Sequence, residues 1–132
     1  MLQRRLLTEN LSMAEEIINA QIEDTMLGNE DHGILTFYLF LKFDGSGQGF
    51  GGYALSTYDK EKKRRVGHAF GTDCILQILD VLKARKWEEL RGKYVRVKRD
   101  AGWSGKIRAI GHIVEDKWFN IEDLAKEHFP ND

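Results

Sequence analysis

Only one cysteine, Cys74, and no apolar run of membrane-spanning length occur in the 132-residue sequence. A single cysteine excludes a disulfide within the chain, which suits a reducing compartment. The longest apolar runs, such as residues 34–41, are far shorter than a bilayer span. Arg4 and Arg5 are not followed by the apolar segment of a signal peptide. We therefore expect a cytoplasmic protein that does not insert into a membrane.

An excess of charge of one sign is also lacking, because the formal net charge is −1. The charges are nevertheless segregated along the chain. Residues 13–61 carry nine acidic and two basic side chains, residues 62–108 carry fourteen basic and five acidic ones, and residues 109–132 carry six acidic and two basic ones. Such segregation indicates either an electrostatic partner or opposite charges that meet within the fold.

The length of the chain fits one domain with a substantial core. Hydrophobic residues make up 42% of the sequence and charged residues 31%, which is typical of soluble domains. We expect a single α+β domain over residues 13–132, preceded by a flexible N-terminal extension over residues 1–12.

Alternating apolar residues predict about five mainly antiparallel strands. The predicted strands cover residues 18–23, 34–43, 53–58, 93–99 and 107–114. Turns are expected over residues 28–33, 59–65 and 100–105. The strand at 34–43 is apolar on both faces, so a helix or a second copy of the chain should cover its second face. A homodimer is therefore left open.

Helical spacing of apolar residues predicts one main helix over about residues 72–84 and a short C-terminal helix over about residues 121–129. Thr72 is the expected N-cap of the main helix. Its last turn should contain Lys83, Arg85 and Lys86, which the helix dipole favours there. Asn120 is expected to cap the short helix.

The sequence contains no recognisable catalytic motif. The spacing Gly47-x-Gly49-x-x-Gly52 matches a dinucleotide fingerprint, but the helix that must follow it is not predicted. The four histidines lack zinc-type spacing with Cys74, which we expect to be a packing thiol. Acidic residues between positions 23 and 32 favour a solvated loop over a metal site. We therefore expect a protein that is not an enzyme and needs no cofactor or metal.

A basic hairpin is the first candidate binding site. Tyr94, Arg96 and Lys98 should project from one face of a strand, because Val95 and Val97 between them face the core. The paired strand and the hairpin tip add Lys106, Arg108 and Trp103. Cations bind phosphates and aromatic rings stack on bases, so this composition indicates a partner- or nucleic-acid-binding surface. The alternative is a solvated strand whose cations pair with acids from residues 13–61.

A glycine loop is the second candidate site, formed by Gly47, Gly49, Phe50, Gly52 and Tyr53. Glycines permit positive φ angles, bulges and the close approach of another backbone. The same freedom could admit a partner or a small nucleotide.

Residues 30–36, 47–53, 110–113 and 116–119 together resemble segments of small phage and prophage proteins. The resemblance covers about residues 14–120 and implies a mobile-element origin. Small phage proteins without catalytic motifs often inhibit host defence, and anti-CRISPR proteins are among them. The resemblance therefore implies a non-enzymatic inhibitor of a host-defence protein or nucleoprotein complex, acting in the cytoplasm of a bacterial host.

Two alternative functions follow from the candidate sites. The basic hairpin favours a single-stranded nucleic-acid-binding accessory protein of phage replication or recombination. The glycine loop favours a protein that binds and sequesters a nucleotide signal.

Overall fold

The structure is a computed structural model that describes residues 15–102 and 105–131, without the side chains of Glu30 and Asp31. The extension predicted over residues 1–12 and the hairpin-tip residue Trp103 lie outside the described residues.

In the described part of the chain, eight strands are combined with two α-helices and a 3-10 helix. The strands are β1 (Glu15–Asp31), β2 (Ile34–Phe43), β3 (Ser46–Gly51), β4 (Ser56–Asp59), β5 (Arg64–Gly67), β6 (Tyr94–Asp100), β7 (Ile107–His112) and β8 (Trp118–Phe119). The helices are α1 (Ala69–Val81), the 3-10 helix Trp87–Leu90 and α2 (Ile121–His128). The predicted α+β class, with mainly antiparallel strands, one main helix and a short C-terminal helix, is confirmed, although the strands are more numerous than expected.

Six strands form one antiparallel sheet in the order β3-β2-β1-β6-β7-β8, and β4 pairs with β5 in a separate ribbon. The 17-residue β1 pairs with β6 along its first half and with β2 along its second half. The exchange of partners occurs at Gln21, which pairs with both β2 and β6, and an irregularity follows at Glu23; such bulges bend a strand. The sheet curls so that Gln48 Nε2 of β3 donates to Gly105 O at 3.1 Å. The rings of Phe50 and Phe119, from the two edge strands, lie 6.4 Å apart.

The core lies on the concave face of the curled sheet. Along β2, Phe37, Leu39, Leu41 and Phe43 are buried, and each alternates with a side chain that points away from the core. Helix α1 contributes Phe70, Cys74 and Ile78 to the same buried cluster, while α2 contributes Ile121 and Leu124. The helices therefore pack against the face that holds the core.

The turn predicted over residues 28–33 is wrong for its first four positions. Residues 28–31 continue β1, and the chain reverses at His32 and Gly33, whose φ angles are +54° and +77°. Two consecutive left-handed residues form the tight turn that suits the twist of a β-hairpin. Pairing with β2 extends β1 to this turn, at Gly28 with Thr36 and at Asp31 with Ile34.

Helix α1 begins three residues earlier than predicted and ends three residues earlier. His68, not Thr72, is the N-cap, and its Nδ1 accepts a hydrogen bond from Gly71 N at 3.0 Å. After Val81, the amide of Lys83 donates to Asp80 O and that of Ala84 donates to Leu79 O. This is the Schellman pattern, with Lys83 at φ +53° in the position that glycine usually occupies. Lys83, Arg85 and Lys86 therefore lie beyond the helix.

The predicted strand over residues 53–58 is wrong in its first half, because β4 covers only Ser56–Asp59. The glycine-rich residues 46–51 form β3, which pairs with β2, and β4 begins only at Ser56. A Cβ atom at Gly51 would lie 2.1 Å from Phe37 O, and Gly52, at φ +83°, donates its amide to that same oxygen at 2.8 Å. Gly52 of the predicted loop therefore uses its positive φ angle, whereas the close approach of another backbone occurs at Gly51, which is not one of the predicted site residues.

The predicted cap of the short helix is confirmed, because Asn120 Oδ1 accepts from Asp123 N at 3.1 Å. The longer of the two α-helices has 13 residues. Neither described helix has the length and apolar character that a membrane crossing requires.

Candidate nucleic-acid interface

The convex face of the sheet carries the side chains that the core does not use. Residues directly opposite each other on paired strands project from the same face, so the register assigns them to rows. Three consecutive rows cross the sheet: Lys42, Gln21 and Tyr94; then Asn19, Arg96, Gly111 and Trp118; then Ile17, Lys98 and Ala109. We call the surface formed by these rows, with Phe40 beside them on β2, the outer face.

Two aromatic side chains of the outer face are open to solvent. The side chain of Tyr94 is 63% exposed and that of Phe40 is 42% exposed. The ring of Tyr38 stacks against Phe40 with centroids 5.9 Å apart, which holds the Phe40 ring in place. On the neighbouring strand β3, Gly49 stands opposite Phe40 and Gly47 opposite Lys42, so β3 places no side chain over them.

The ring of Trp118 contacts two cations at the β8 end of the outer face. Its ring lies against Gly111, where an added Cβ atom would be 2.5 Å from the indole. The guanidinium of Arg96 lies 4.9 Å from the ring centroid, and the ammonium of Lys98 lies 4.2 Å from it. Such cation–π contacts hold both charges near the sheet without neutralising them.

Arg96 is fixed further by backbone oxygens. Its Nε donates to His112 O and its Nη2 donates to Glu115 O, each at 2.9 Å. Carbonyl oxygens orient a guanidinium but leave its full positive charge. Within the described residues, no carboxylate is in ion-pair contact with Lys42, Arg96 or Lys98. These three cations therefore keep charge available for a partner.

Acidic residues border the three rows rather than interrupt them. Glu15 and Asp100 form the next row beyond Ile17 and Lys98, and Asp24 stands opposite Phe40 on the other side. Asp24 is also 4.0 Å from Arg91 Nε. The positive band therefore runs across the strands, from β2 to β8, with negative charge on both sides.

Lys106 and Arg108, which the sequence pattern places on the basic surface, form ion pairs with carboxylates. Arg108 donates to both Asp100 carboxylate oxygens, at 3.1 and 2.9 Å, and to Glu122 Oε1 at 3.0 Å. Lys106 Nζ lies 3.0 Å from the same Glu122 oxygen. Hydrogen bonds from Arg108 lower the pKa of Asp100, and those from Lys106 lower the pKa of Glu122. For these two cations, pairing within the chain is the correct interpretation, although the acids come from β6 and α2 rather than from residues 13–61.

The glycine-loop residues are used mainly in packing. Phe50 is buried in the core, and Tyr53 packs against it with ring centroids 6.2 Å apart. Gly47 and Gly49 lie in strand β3, at the border of the outer face. Gly52 lies beneath the hydroxyl of Tyr38.

Cys74 is a packing residue, as predicted. It is buried in α1, and burial raises the pKa of its thiol to about 12. A thiol in that state has little thiolate at neutral pH and is a poor nucleophile.

Sequence reasoning identified Tyr94, Arg96 and Lys98 but missed Phe40, Lys42 and Trp118. Phe40 and Lys42 alternate with the buried Leu39, Leu41 and Phe43, so the period of two in β2 could have assigned them to the surface. Trp118 carried no such signal, because its place beside Arg96 depends on the register of the two-residue strand β8.

Comparison with known proteins gave no match to any protein-family model, curated protein or solved structure.

Proposed function

We propose that the outer face binds single-stranded nucleic acid without sequence preference. The observation that carries the proposal is the exposed ring of Tyr94, placed between Lys42 on one side and Arg96 and Lys98 on the other. Proteins that bind single strands combine aromatic rings, on which bases stack, with cations that follow the phosphates. The outer face has both groups in adjacent rows.

Tyr94 and Phe40 would supply the stacking surfaces. Each stacked base contributes roughly 1–3 kcal/mol in such proteins, whichever base it is. Lys42, Arg96 and Lys98 would contact phosphates, and the acids at the borders would repel a strand that strayed from the band. A duplex hides the faces of its bases within the stack, so the exposed rings favour a single strand over a duplex.

The salt dependence of oligonucleotide binding tests this assignment of roles. For single strands, the slope of log K against log salt is about −0.7 for each phosphate neutralised. Three cations predict a slope of about −2 for an oligonucleotide of roughly 6 nucleotides. The double variant Lys42→Gln/Lys98→Gln should reduce the slope to about −0.7. Fluorescence anisotropy at several salt concentrations measures both.

The matched control is Lys86→Gln/Lys126→Gln, because both lysines are exposed and lie outside the outer face. It removes the same charge from the chain and should leave the slope near that of the wild type. Equal slopes for the two double variants would mean that the outer face is not the binding surface.

A protein-binding role remains a second proposal, since exposed Ile17 and Phe40 also lie on the outer face and apolar side chains favour protein contacts. Under this proposal the chain is an inhibitor of a host-defence nucleoprotein complex, as the phage resemblance implies. Affinity capture from a bacterial lysate, with and without nuclease, separates the two: defence components recovered after nuclease treatment support the inhibitor. The buried Phe50 and the packed glycines give no support to the nucleotide-sequestering alternative.

A further inference from the structure

The ribbon formed by β4 and β5, residues 56–67, is a second cationic surface that the sequence pattern presented only as a charged turn. Its two strands pair with each other from Ser56 and Gly67 to Asp59 and Arg64, and neither joins the six-stranded sheet. The turn between them carries Lys60, Lys62 and Lys63. With Arg64, the ribbon presents four exposed cations within five residues.

The base of the ribbon is firmly attached to the domain. Leu55 N donates to Leu35 O at 2.8 Å, which joins the ribbon to the start of β2. Arg65 donates from Nε to Ser56 Oγ at 2.8 Å and from Nη2 to Ser56 O at 2.6 Å, and Ser56 is buried. Arg65 is therefore the structural cation of the group.

The turn of the ribbon is also ordered by its own hydrogen bonds. Asp59 Oδ1 accepts from the amides of Glu61 and Lys62, at 2.9 and 3.0 Å. The carboxylate of Asp59 therefore accepts hydrogen bonds from backbone amides of the turn. Among the described residues, no carboxylate is in ion-pair contact with Lys60, Lys62, Lys63 or Arg64. Tyr58, on β4, adds a ring that is 54% exposed.

The ribbon is joined to the start of β2, the strand that also carries Phe40 of the outer face. Phe40 and Leu35 are five residues apart on β2, which is roughly 17 Å along an extended strand. Between them, the convex side of β2 carries Tyr38, and the neighbouring strand β3 places glycines 49 and 51 opposite Phe40 and Tyr38. A strand stacked on Phe40 passes Asp24, which stands opposite Phe40 on β1 and lies 4.0 Å from Arg91 Nε, and then meets no acidic side chain of β2 or β3 on its way to the ribbon.

We infer that the β4–β5 ribbon is a second contact for the phosphate backbone of the same single strand. This inference rests on the proposed function of the outer face and extends it to longer strands. Regularly spaced phosphates suit several unneutralised cations on one turn, with Tyr58 as an additional ring for a base. An acidic protein would need only the charges, and the aromatic rings of Phe40 and Tyr38 along β2 would have no role in binding it.

The length of the oligonucleotide separates the ribbon from the outer face. A strand of roughly 6 nucleotides can occupy the outer face alone, whereas one of roughly 16 can reach both surfaces. With the three cations of the outer face and the four of the ribbon, about seven phosphate contacts should give a wild-type slope of log K against log salt of about −5 on the long strand. The triple variant Lys62→Gln/Lys63→Gln/Arg64→Gln leaves about four contacts, so it should reduce the slope to about −3 and leave binding of the short strand unchanged.

The matched control is Arg85→Gln/Lys86→Gln/Lys126→Gln, which removes two lysines and one arginine that are exposed elsewhere. It should keep the slope of the wild type on both strands. Glutamine removes the charge but keeps a polar side chain, and circular dichroism checks that each variant is folded.

If the ribbon triple variant keeps the wild-type salt slope on the long strand, this inference is wrong. The outer-face proposal would still stand if Tyr94→Ala weakened binding. Failure of the wild type to bind either strand at low salt would instead overturn the proposed function, and this inference with it.

Discussion

Replacement of Tyr94 by alanine is expected to weaken the binding of a short single-stranded oligonucleotide about 5- to 140-fold, which corresponds to about 1–3 kcal/mol. The ring is 63% exposed and stands between Lys42 and the Arg96–Lys98 pair, so its loss removes stacking without disturbing the core. Anisotropy titration at one low salt concentration measures the change.

Two controls distinguish stacking from other effects. Tyr94→Phe keeps the ring and should bind nearly as well as the wild type. Leu76→Ala removes an exposed apolar side chain of α1, outside the outer face, and should have no effect on binding. If Tyr94→Phe loses as much affinity as Tyr94→Ala, the hydroxyl rather than the ring contacts the ligand, and the stacking role is wrong.

Replacement of Phe37 by alanine is expected to reduce the free energy of unfolding by about 3–5 kcal/mol. Phe37 is 0% exposed, and its ring lies 5.9 Å from the rings of both Phe50 and Trp87. The truncation leaves a cavity where β2, β3 and the 3-10 helix meet. Since small domains are stable by only about 5–15 kcal/mol, much of the stability should be lost. Urea denaturation followed by circular dichroism gives the value.

Phe40→Ala is the matched comparison, because Phe40 lies on the same strand but points to the outer face. We expect a loss of about 1 kcal/mol or less in stability, since the ring is partly exposed. The same variant should weaken oligonucleotide binding. A loss of stability as large as that of Phe37→Ala would show that the outer face is packed rather than open.

Strict alternation made β2 and β6 predictable from the sequence. In β6, Val95 and Val97 must enter the core, and this alone directs Arg96 and Lys98 to the opposite face. The limits of α1 were not predictable in the same way. Its N-cap is a histidine and its left-handed C-terminal residue is Lys83, neither of which belongs to the residue types that usually mark helix ends.

The composition of the candidate site depends on contacts between distant elements. Arg108 looked equivalent to Arg96 in the sequence, but it meets Asp100 and Glu122, and Glu122 comes from helix α2. Lys42 and Tyr94 lie in one row because both stand opposite Gln21 of β1. That pairing depends on the position at which β1 stops pairing with β6 and starts pairing with β2. The alternation of apolar and polar residues therefore predicts which face each side chain occupies. Which of these side chains lie together in one site depends on the fold.

Backbone amide NMR of the wild-type protein, titrated with an unlabelled oligonucleotide of roughly 6 nucleotides at low salt, shows which face of the sheet binds the single strand. If the outer face binds the strand, the largest chemical-shift changes occur in residues 17–21, 40–42 and 94–98, with a change in the indole signal of Trp118. Helices α1 and α2, on the other side of the sheet, should be nearly unaffected. Shift changes confined to the helices, or none at a concentration that saturates binding, would contradict the outer-face proposal.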